Sequence, residues 1–233
     1  MQRLFGFMGP LPNWPARYNI APTQLVPIVR VARAGGEGDG AGKGSEGRRK
    51  LVQARWGVVP FWAKEAAIGA KLINARADGI AEKPAFRAAF RARRCLVPAD
   101  GFFEWQATPH GKRPYWVGLK GGTSDEPPLF AFAGLWERWT KAPEGVPLES
   151  CTIITTEANA LLGPIHERMP VILAAADYGT WLDAATALPD ALALLRPFPA
   201  EAMTLHPVST RVNSVRFDDP LCIAAEGGQP GLL

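Results

Sequence analysis

Three short polar stretches carry the side chains that could do chemistry in this sequence. Asn74 and Arg76 stand two residues apart in INARAD, Glu104 lies among aromatic residues in PADGFFEW, and His166 precedes an apolar segment in GPIHERMPVIL. A carboxyl group and an imidazole are the usual pair for moving protons near neutral pH, and apolar surroundings raise the pKa of a carboxyl group towards that range. The pattern therefore indicates acid–base chemistry, with Asn74 and Arg76 sharing one face of an extended segment.

Each of these groups also has a purely structural interpretation. The sequence offers little support for a catalytic cysteine or serine. A lone histidine beside a strand is often a structural residue, and Glu104 could pair with a nearby arginine. Cys95, Cys151 and Cys222 lie in apolar contexts without metal-ligand spacing, which predicts buried apolar roles. The sequence has no glycine-rich phosphate loop and no G-x-S-x-G turn, so nucleotide hydrolysis and serine-esterase chemistry lack support.

Composition places the chain among globular proteins and leaves its partner open. The 233 residues are 47% hydrophobic and 21% charged, and no apolar run is long enough to span a membrane. The start is broken by Gly and Pro too early for a signal peptide, so we expect a cytoplasmic protein. The net charge is only +4, but residues 76–113 hold eight basic and four acidic residues. This stretch is either a solvated helix face or a nucleic-acid surface.

The elements that must position these groups are mainly strands. Segments before and after the glycine-rich stretch 34–49 predict a hairpin with a flexible loop at its tip, and residues 226–233 predict a frayed tail. The segment 83–94 predicts a helix with Phe86 and Phe90 on its buried face and Pro84 in its first turn. Short helices are expected at 157–163, 178–182 and 189–196. The sequence predicts one α+β domain over residues 1–233, with a curled, mainly antiparallel, barrel-like sheet and flanking short helices.

Seven stretches occur in an order that resembles one protein family. They are YNIAPTQ (18–24), WGVVPFWA (56–63), INARAD (73–78), KPAFR (83–87), RRCLVPADGFFEW (93–105), TIITTEAN (152–159) and HERMPVIL (166–173). Together they resemble the SOS response-associated peptidase family, the abasic-site-processing proteins, from about Arg17 to about Cys222. The resemblance implies binding to single-stranded DNA that carries an abasic site, followed by a covalent link to it and shielding of the lesion in the DNA damage response.

The nucleophile that the resemblance implies is a cysteine exposed at the N-terminus. Its α-amine and thiol condense with the aldehyde of the ring-opened deoxyribose and close a five-membered thiazolidine. Only a terminal cysteine offers both groups on adjacent carbons, and an α-amine with a pKa of ~7.7–8.0 is partly unprotonated at cellular pH.

The resemblance also implies roles for three residues in the chemical step. His166 would act as acid and base in opening the sugar ring. Glu104 would handle the proton on the attacking amine and orient the aldehyde. Asn74 would hold the terminal residue or the sugar by hydrogen bonds.

Four further residues acquire DNA-binding roles from the resemblance. Arg76 and Arg87 would grip backbone phosphates, and Thr155 would add a sugar-phosphate contact. Trp62 would stack on a base or wedge against it, although a core position is the alternative for this side chain. No cofactor, metal or membrane is implied, and a monomer is the default expectation.

The beginning of the sequence departs from the family pattern. Family members begin Met-Cys-Gly-Arg, whereas this chain begins Met-Gln-Arg-Leu, and no cysteine precedes Cys95. We therefore expect Met1 to be an internal methionine, with the natural N-terminus and its cysteine upstream. The alternative is a member that lacks the terminal cysteine and binds abasic DNA without trapping it.

Two other functions remain open on the sequence alone. One is a peptidase confined to its own N-terminus, because no internal nucleophile with a paired base is evident. The other is a plain single-stranded nucleic-acid-binding module in which Glu104 and His166 are structural. Abasic-site DNA run on a denaturing gel distinguishes these functions from covalent capture.

Overall fold

A computed structural model describes residues 1–32, 47–122, 127–141 and 145–227. It contains eleven strands among these residues: β1 Leu25–Val31, β2 Arg49–Trp56, β3 Asn74–Arg76, β4 Arg94–Ala99, β5 Gly101–Thr108, β6 Gly111–Leu119, β7 Phe130–Trp139, β8 Leu148–Glu157, β9 Arg168–Pro170, β10 Ile172–Leu173 and β11 Met203–Pro207. The α-helices are short: α1 Gln2–Phe5, α2 Arg87–Ala92, α3 Tyr178–Leu182 and α4 Leu188–Ala193. Short 3-10 helices cover Ala66–Lys71, Ala175–Asp177, Ala200–Ala202, Thr210–Asn213 and Pro220–Cys222.

Five strands form a closed ring. Strand β7 pairs with β4, β4 with β1, β1 with β2, β2 with β8, and β8 returns to β7. The β2–β8 contact is parallel and the other four contacts of the ring are antiparallel. A closed ring has no free edge among its own strands. The predicted α+β fold with a barrel-like, mainly antiparallel sheet is therefore confirmed.

The remaining strands extend this ring or form a second sheet. Strand β3 pairs in parallel with β8, β9 pairs with β8, and β10 pairs with β7. Strands β5, β6 and β11 make a separate antiparallel sheet in the order β11-β6-β5. The chain passes from the ring to this second sheet at Asp100, between the end of β4 and the start of β5.

Alternation along β4 divides the buried side chains between two cores. Leu96 packs with Phe90 and Trp181 in a core that includes residues of α2 and α3. Cys95 and Val97 face the other way, into a core that includes residues of β6 and β11 from the second sheet. Successive side chains of a strand point to opposite faces, so one strand can serve both cores. The ring therefore lies between the helices and the second sheet.

The predicted hairpin is present. Strands β1 and β2 pair antiparallel from Leu25 opposite Arg55 to Val31 opposite Arg49. Residues 34–46 of the predicted loop lie outside the described residues, and Arg49 belongs to β2 and not to the loop. Residues 228–233 of the predicted tail also lie outside the described residues.

The helix predicted over residues 83–94 is shorter in the structure. Phe86 and Phe90 are buried as predicted, but α2 spans only Arg87–Ala92 and Pro84 lies before it. The helix ends because Arg93 leaves helical geometry with φ −136°, and Arg94 then begins β4 opposite Leu135. The end of the predicted helix therefore pairs with β7 as part of a strand.

The three other predicted helices have different outcomes. Residues 178–182 form α3 as predicted, and the helix expected at 189–196 is α4, Leu188–Ala193. Residues 157–163 do not form a helix. Asn159 accepts hydrogen bonds from the N–H groups of Leu161 and Leu162, both at 3.1 Å, and folds this stretch into turns. No helix among the described residues is long and apolar enough to cross a membrane.

Candidate functional site

A cavity of about 1180 Å³ lies where the ring meets the second sheet. Five of the seven residues singled out in the sequence line it, and they come from four separate parts of the chain: Asn74, Arg76, Glu104, Thr155 and His166. Fold topology, and not sequence proximity, therefore brings the acid, the imidazole, the amide and the guanidinium to one place.

The short strand β3 presents Asn74 and Arg76 to the cavity. Ala75 between them is fully buried, while both neighbours are exposed. Pairing with β8 sets Arg76 opposite Thr155, whose side chain lines the same cavity. The described part of the chain offers neither Asn74 nor Arg76 a side-chain hydrogen-bond partner, so both polar groups are available to a ligand.

Glu104 lies on β5, half-buried at the cavity wall. Its Oε1 accepts a hydrogen bond of 3.1 Å from the backbone N–H of Trp105. Burial raises the pKa of Glu104, and this effect outweighs the Trp105 hydrogen bond and the nearby His166 and Lys112, which act to lower the pKa. The carboxyl group therefore exchanges protons closer to neutral pH than an exposed glutamate does.

His166 is held at the end of the turns that follow β8. Its backbone N–H donates to the carbonyl of Leu162 at 2.9 Å, and Leu162 is fully buried. Nδ1 of the imidazole lies 3.0 Å from both the backbone N–H and the carbonyl oxygen of Arg168. The N–H can only donate, so the neutral ring accepts at Nδ1 and carries its proton on Nε2, whereas a protonated ring can donate to the carbonyl. Either state keeps the ring in one orientation, with Nε2 left for a ligand.

Arg168 is a cavity residue that the sequence reasoning missed. Its guanidinium donates to the carbonyl of Thr155 at 2.6 Å and to Asp78 Oδ2 at 3.0 Å, and it lines the cavity beside His166. The signal was present in HERMP, where Arg168 follows His166 at the two-residue spacing of a strand face.

Aromatic side chains make up a further part of the lining that was not predicted as part of the site. They are Trp14, Tyr18, Trp56, Phe102, Phe103, Trp105, Trp116 and Phe132. The Trp116 ring stacks on His206 with the centroids 5.1 Å apart and lies across the paired glycines Gly101 and Gly118. Flat apolar faces beside cationic side chains suit a ligand that is both anionic and aromatic.

One wall of the cavity joins two ends of the chain. Asp218 Oδ1 accepts hydrogen bonds from the backbone N–H groups of Tyr18 at 2.6 Å and Asn19 at 2.8 Å, and its Oδ2 pairs with Arg17. The amide of the buried Asn19 donates to carbonyls on either side of Asn213. Segments about 200 residues apart in sequence are thereby fixed to each other.

The structure does not bring Arg87 and Trp62 to the cavity lining. Arg87 is exposed at the start of α2. Trp62 is 43% exposed in the turn after β2, so the core position considered for it is wrong. Its role as a stacking residue stays a prediction, for a side chain that is not part of the cavity lining.

The arginine-rich window is not one basic surface. Arg93 forms a 2.7 Å ion pair with the buried Glu137. Arg94 is only 4% exposed and donates to the backbone carbonyls of Phe90, Trp181 and Asp183. Two of the six arginines in residues 76–113 are therefore bound to internal partners, while the other four remain exposed: Arg76, Arg87, Arg91 and Arg113.

The three cysteines are buried, as the sequence predicts. Cys95, Cys151 and Cys222 are free thiols without exposed surface. Burial raises the pKa of Cys151 to about 12 and that of Cys95 well above its usual value. Since the thiolate is the nucleophile, neither thiol serves a reaction in the cavity.

Comparisons with known proteins point to one family. The profile of the family described as SOS response associated peptidase (SRAP) matches residues 3–215. The abasic site processing protein YoqW of Bacillus subtilis (strain 168) is 43% identical over 206 residues, covering 87% of this chain and 83% of that one. The abasic site processing protein HMCES of Gallus gallus is 38% identical over 194 residues, covering 75% and 57%.

Solved structures share the fold. A crystal structure of a protein from Bacteroides thetaiotaomicron superposes with a TM-score of 0.73 at 30% identity, covering 88% of this chain and 82% of that one. A protein from Bordetella bronchiseptica superposes with a TM-score of 0.70 at 23% identity, covering 89% and 95%, which concerns the fold alone.

Proposed function

The chain belongs to the SOS response associated peptidase family, and from that membership we propose that it binds and processes abasic sites in single-stranded DNA. The observation that carries the proposal is the meeting of Glu104 and His166 in one cavity with Asn74 and Arg76. An abasic deoxyribose is a masked aldehyde flanked by phosphates, and these four groups supply what it needs: proton transfer, hydrogen bonding and positive charge.

Each cavity residue has a specific part in the proposed reaction. His166, through Nε2, exchanges a proton with the sugar ring oxygen as the ring opens to the aldehyde. Glu104 accepts the proton that an attacking amine loses. Asn74 holds the sugar or the attacking residue, and Arg76 with Thr155 holds the adjacent phosphates.

Arg87 and Trp62 fit the proposal only for DNA that runs past the cavity. Arg87, exposed on α2, is available to a phosphate outside the cavity. Trp62, with its neighbour Phe61 54% exposed, is available to stack on a base of the same strand.

The covalent step of the proposal uses an N-terminal cysteine placed upstream of Met1. Its amine adds to the aldehyde carbon, and loss of the oxygen as water gives an imine. The thiol then adds across the C=N bond, so the product contains one new C–N and one new C–S bond and one water is released. The buried internal thiols support this choice, because they cannot supply the nucleophile.

The test is a trapping experiment with two forms of the protein. The first form is extended through the upstream in-frame codons to a terminal cysteine, and the second is the 233-residue chain. Each is incubated with a single-stranded abasic oligonucleotide and run on a denaturing gel. The extended form gives a stable covalent band, its Cys→Ala variant does not, and the 233-residue chain gives only non-covalent binding on a native gel.

The alternatives have their own outcomes in this experiment. Equal binding to abasic and intact single strands, without a covalent band from the extended form, identifies a plain nucleic-acid-binding module. Loss of the terminal peptide without DNA capture identifies a self-processing peptidase. Either result refutes abasic-site processing.

The pH dependence of capture tests the role of Glu104. Burial raises the pKa of this carboxyl group, so the rate falls on the acid side at a higher pH than the value of about 4.3 typical of an exposed glutamate. In Glu104→Gln the rate is lower and the part of the acid limb that comes from this carboxyl group disappears. The fall caused by protonation of the attacking amine, with its pKa of ~7.7–8.0, remains, and affinity for DNA is retained. If the acid limb is the same in Glu104→Gln as in the wild type, a group other than Glu104 is responsible for it.

Variants of the other cavity residues separate chemistry from binding. His166→Ala slows capture and leaves DNA binding in place. Arg76→Ala weakens binding to all base sequences alike and reduces the salt slope by about one unit at most. A dependence of the Arg76→Ala effect on base sequence contradicts a phosphate contact.

A further inference from the structure

We propose that Asn213 is a positioning residue that acts on Glu104 through Trp105. This inference rests on the proposed function for its meaning, since Glu104 matters there as the proton acceptor. Asn213 itself is exposed at the end of a 3-10 turn and lies far from β5 in sequence.

The first link joins Asn213 to the strand that carries Glu104. Asn213 Oδ1 accepts a hydrogen bond of 2.8 Å from the indole Nε1 of Trp105. The backbone N–H of the same Trp105 donates to Glu104 Oε1 at 3.1 Å. Trp105 therefore contacts both residues, Asn213 through its ring and the Glu104 carboxylate through its backbone N–H.

The second link holds Asn213 in place. The side-chain amide of Asn19 donates to the carbonyl of Val212 at 3.1 Å and to that of Ser214 at 3.3 Å, on the two sides of Asn213. Asn19 is 5% exposed, and Asp218 accepts its backbone N–H at 2.8 Å. Hydrogen bonds therefore join Asp218 to Asn19 and Asn19 to the two residues that flank Asn213. Asn213 then accepts from the indole of Trp105, whose backbone N–H donates to the Glu104 carboxylate.

These hydrogen bonds would let the cavity wall orient the Glu104 carboxylate. Asn213, Trp105 and Glu104 line the cavity, as do Asn19 and Val212, whereas Ser214 and Asp218 do not. A carboxyl group that must accept a proton from a positioned amine loses efficiency when its orientation is loose, so support from Asn213 and Trp105 in the cavity wall contributes to the rate.

A double-mutant cycle tests the link. Asn213→Ala removes the acceptor, and Trp105→Phe removes the indole N–H while keeping an aromatic ring and the backbone amide. In the extended form of the protein, each variant slows capture of abasic DNA about threefold to tenfold, as expected for one hydrogen bond, and the double variant is no slower than the single ones. Additive losses in the double variant overturn the proposal.

The matched control is Asp219→Asn in the same segment. Asp219 pairs with Arg211 at 2.6 Å and accepts the N–H of Leu221 at 3.0 Å, without a contact to Trp105 among the described residues. This variant loses an ion pair and retains the capture rate. If it slows capture as much as Asn213→Ala does, general loosening of the segment explains the effect and the proposal fails.

A measurement without DNA separates this inference from the proposed function. The protein is labelled with ¹³C at its glutamate carboxyl groups and studied by NMR. The signal that is missing in Glu104→Gln belongs to Glu104, and its chemical shift is followed as a function of pH. Weakening the Trp105 hydrogen bond moves the pKa of Glu104 further up in both single variants, because that bond lowers it. An unmoved midpoint in Asn213→Ala refutes positioning, whether or not the protein captures abasic DNA.

Discussion

Gly118→Ala is expected to disturb the cavity floor by displacing Trp116. Trp116 and Gly118 share one face of β6, and Gly118 is paired with Gly101 on β5. A methyl group at position 118 would lie 2.9 Å from Cζ2 and Cζ3 of Trp116 and closer still to Cη2. A methyl group at position 101 would lie 2.6 Å from Cζ2 of the same ring. The indole occupies the space that the two missing side chains leave.

The magnitude follows from how little room the ring has. Carbon atoms in contact are about 3.5–4.0 Å apart, so the ring must move by roughly 1 Å. Trp116 is 8% exposed, packs against Val208 and Val212, and stacks on His206. Overpacking of this kind costs about 1–3 kcal/mol, and the lower entropy of the unfolded chain with alanine returns about 0.4–1 kcal/mol. With the middle of each range, the net loss of unfolding free energy is about 1.3 kcal/mol.

Urea unfolding followed by circular dichroism measures this loss. The matched control is Gly179→Ala in α3, where the added methyl meets only Arg49 Nη2 at 3.5 Å and stability is maintained. In the variant Gly118→Ala/Trp116→Leu the smaller side chain relieves the overlap, so the combined loss is less than the sum of the single losses. Gly118→Ala with unchanged stability, or additive losses in the double variant, contradicts the account of the glycine pair.

Three further outcomes follow from buried groups. Cys95 and Cys151 resist a maleimide in the native protein and react on unfolding, since burial raises the pKa of both thiols; rapid native labelling contradicts their placement. Arg94→Met leaves three backbone carbonyls without their hydrogen-bond donor. We expect the unfolding free energy, measured by urea unfolding, to fall by about 2–4 kcal/mol. A loss below about 1 kcal/mol argues against the buried position of Arg94. Burial acts to raise the pKa of Asp218, but hydrogen bonds from Tyr18, Arg17 and Asn19 outweigh burial and lower the pKa. The ionised Asp218 therefore stabilises the fold above its unfolded pKa of about 3.9. This contribution is lost as the pH falls through the lower pKa of the folded state. The stability difference between the wild type and Asp218→Asn therefore shrinks on acidification; a constant difference contradicts the ionised contact.

Local pattern was enough to predict much of the fold and some of the site. Alternation in INARAD placed Asn74 and Arg76 on one face because a strand has a period of two residues, whatever it pairs with. The four-residue spacing of Phe86 and Phe90 predicted their burial, because residues four apart lie on one face of a helix. Apolar neighbours of Glu104 predicted a raised pKa, and burial is the largest of the effects that act on it.

Contacts between distant segments decided the rest. Arg87 and Arg94 look alike in the sequence, yet one is exposed and the other is buried, because the carbonyls that satisfy Arg94 come partly from residues almost ninety positions later. Closure of the ring depends on the parallel contact of β2 with β8, and the wall around Asn213 depends on Asp218 meeting Asn19.

The sequence by itself determined which side chains could move protons and bind phosphates, since residue type and local period are written in it. Only the tertiary structure decided that Glu104 from the second sheet faces His166 beyond β8, and that Arg168 and Asn213 join them. The physical reason is that residue type and local period depend on near neighbours, whereas a site assembled from four separate segments depends on packing energies between residues that no short window of sequence contains.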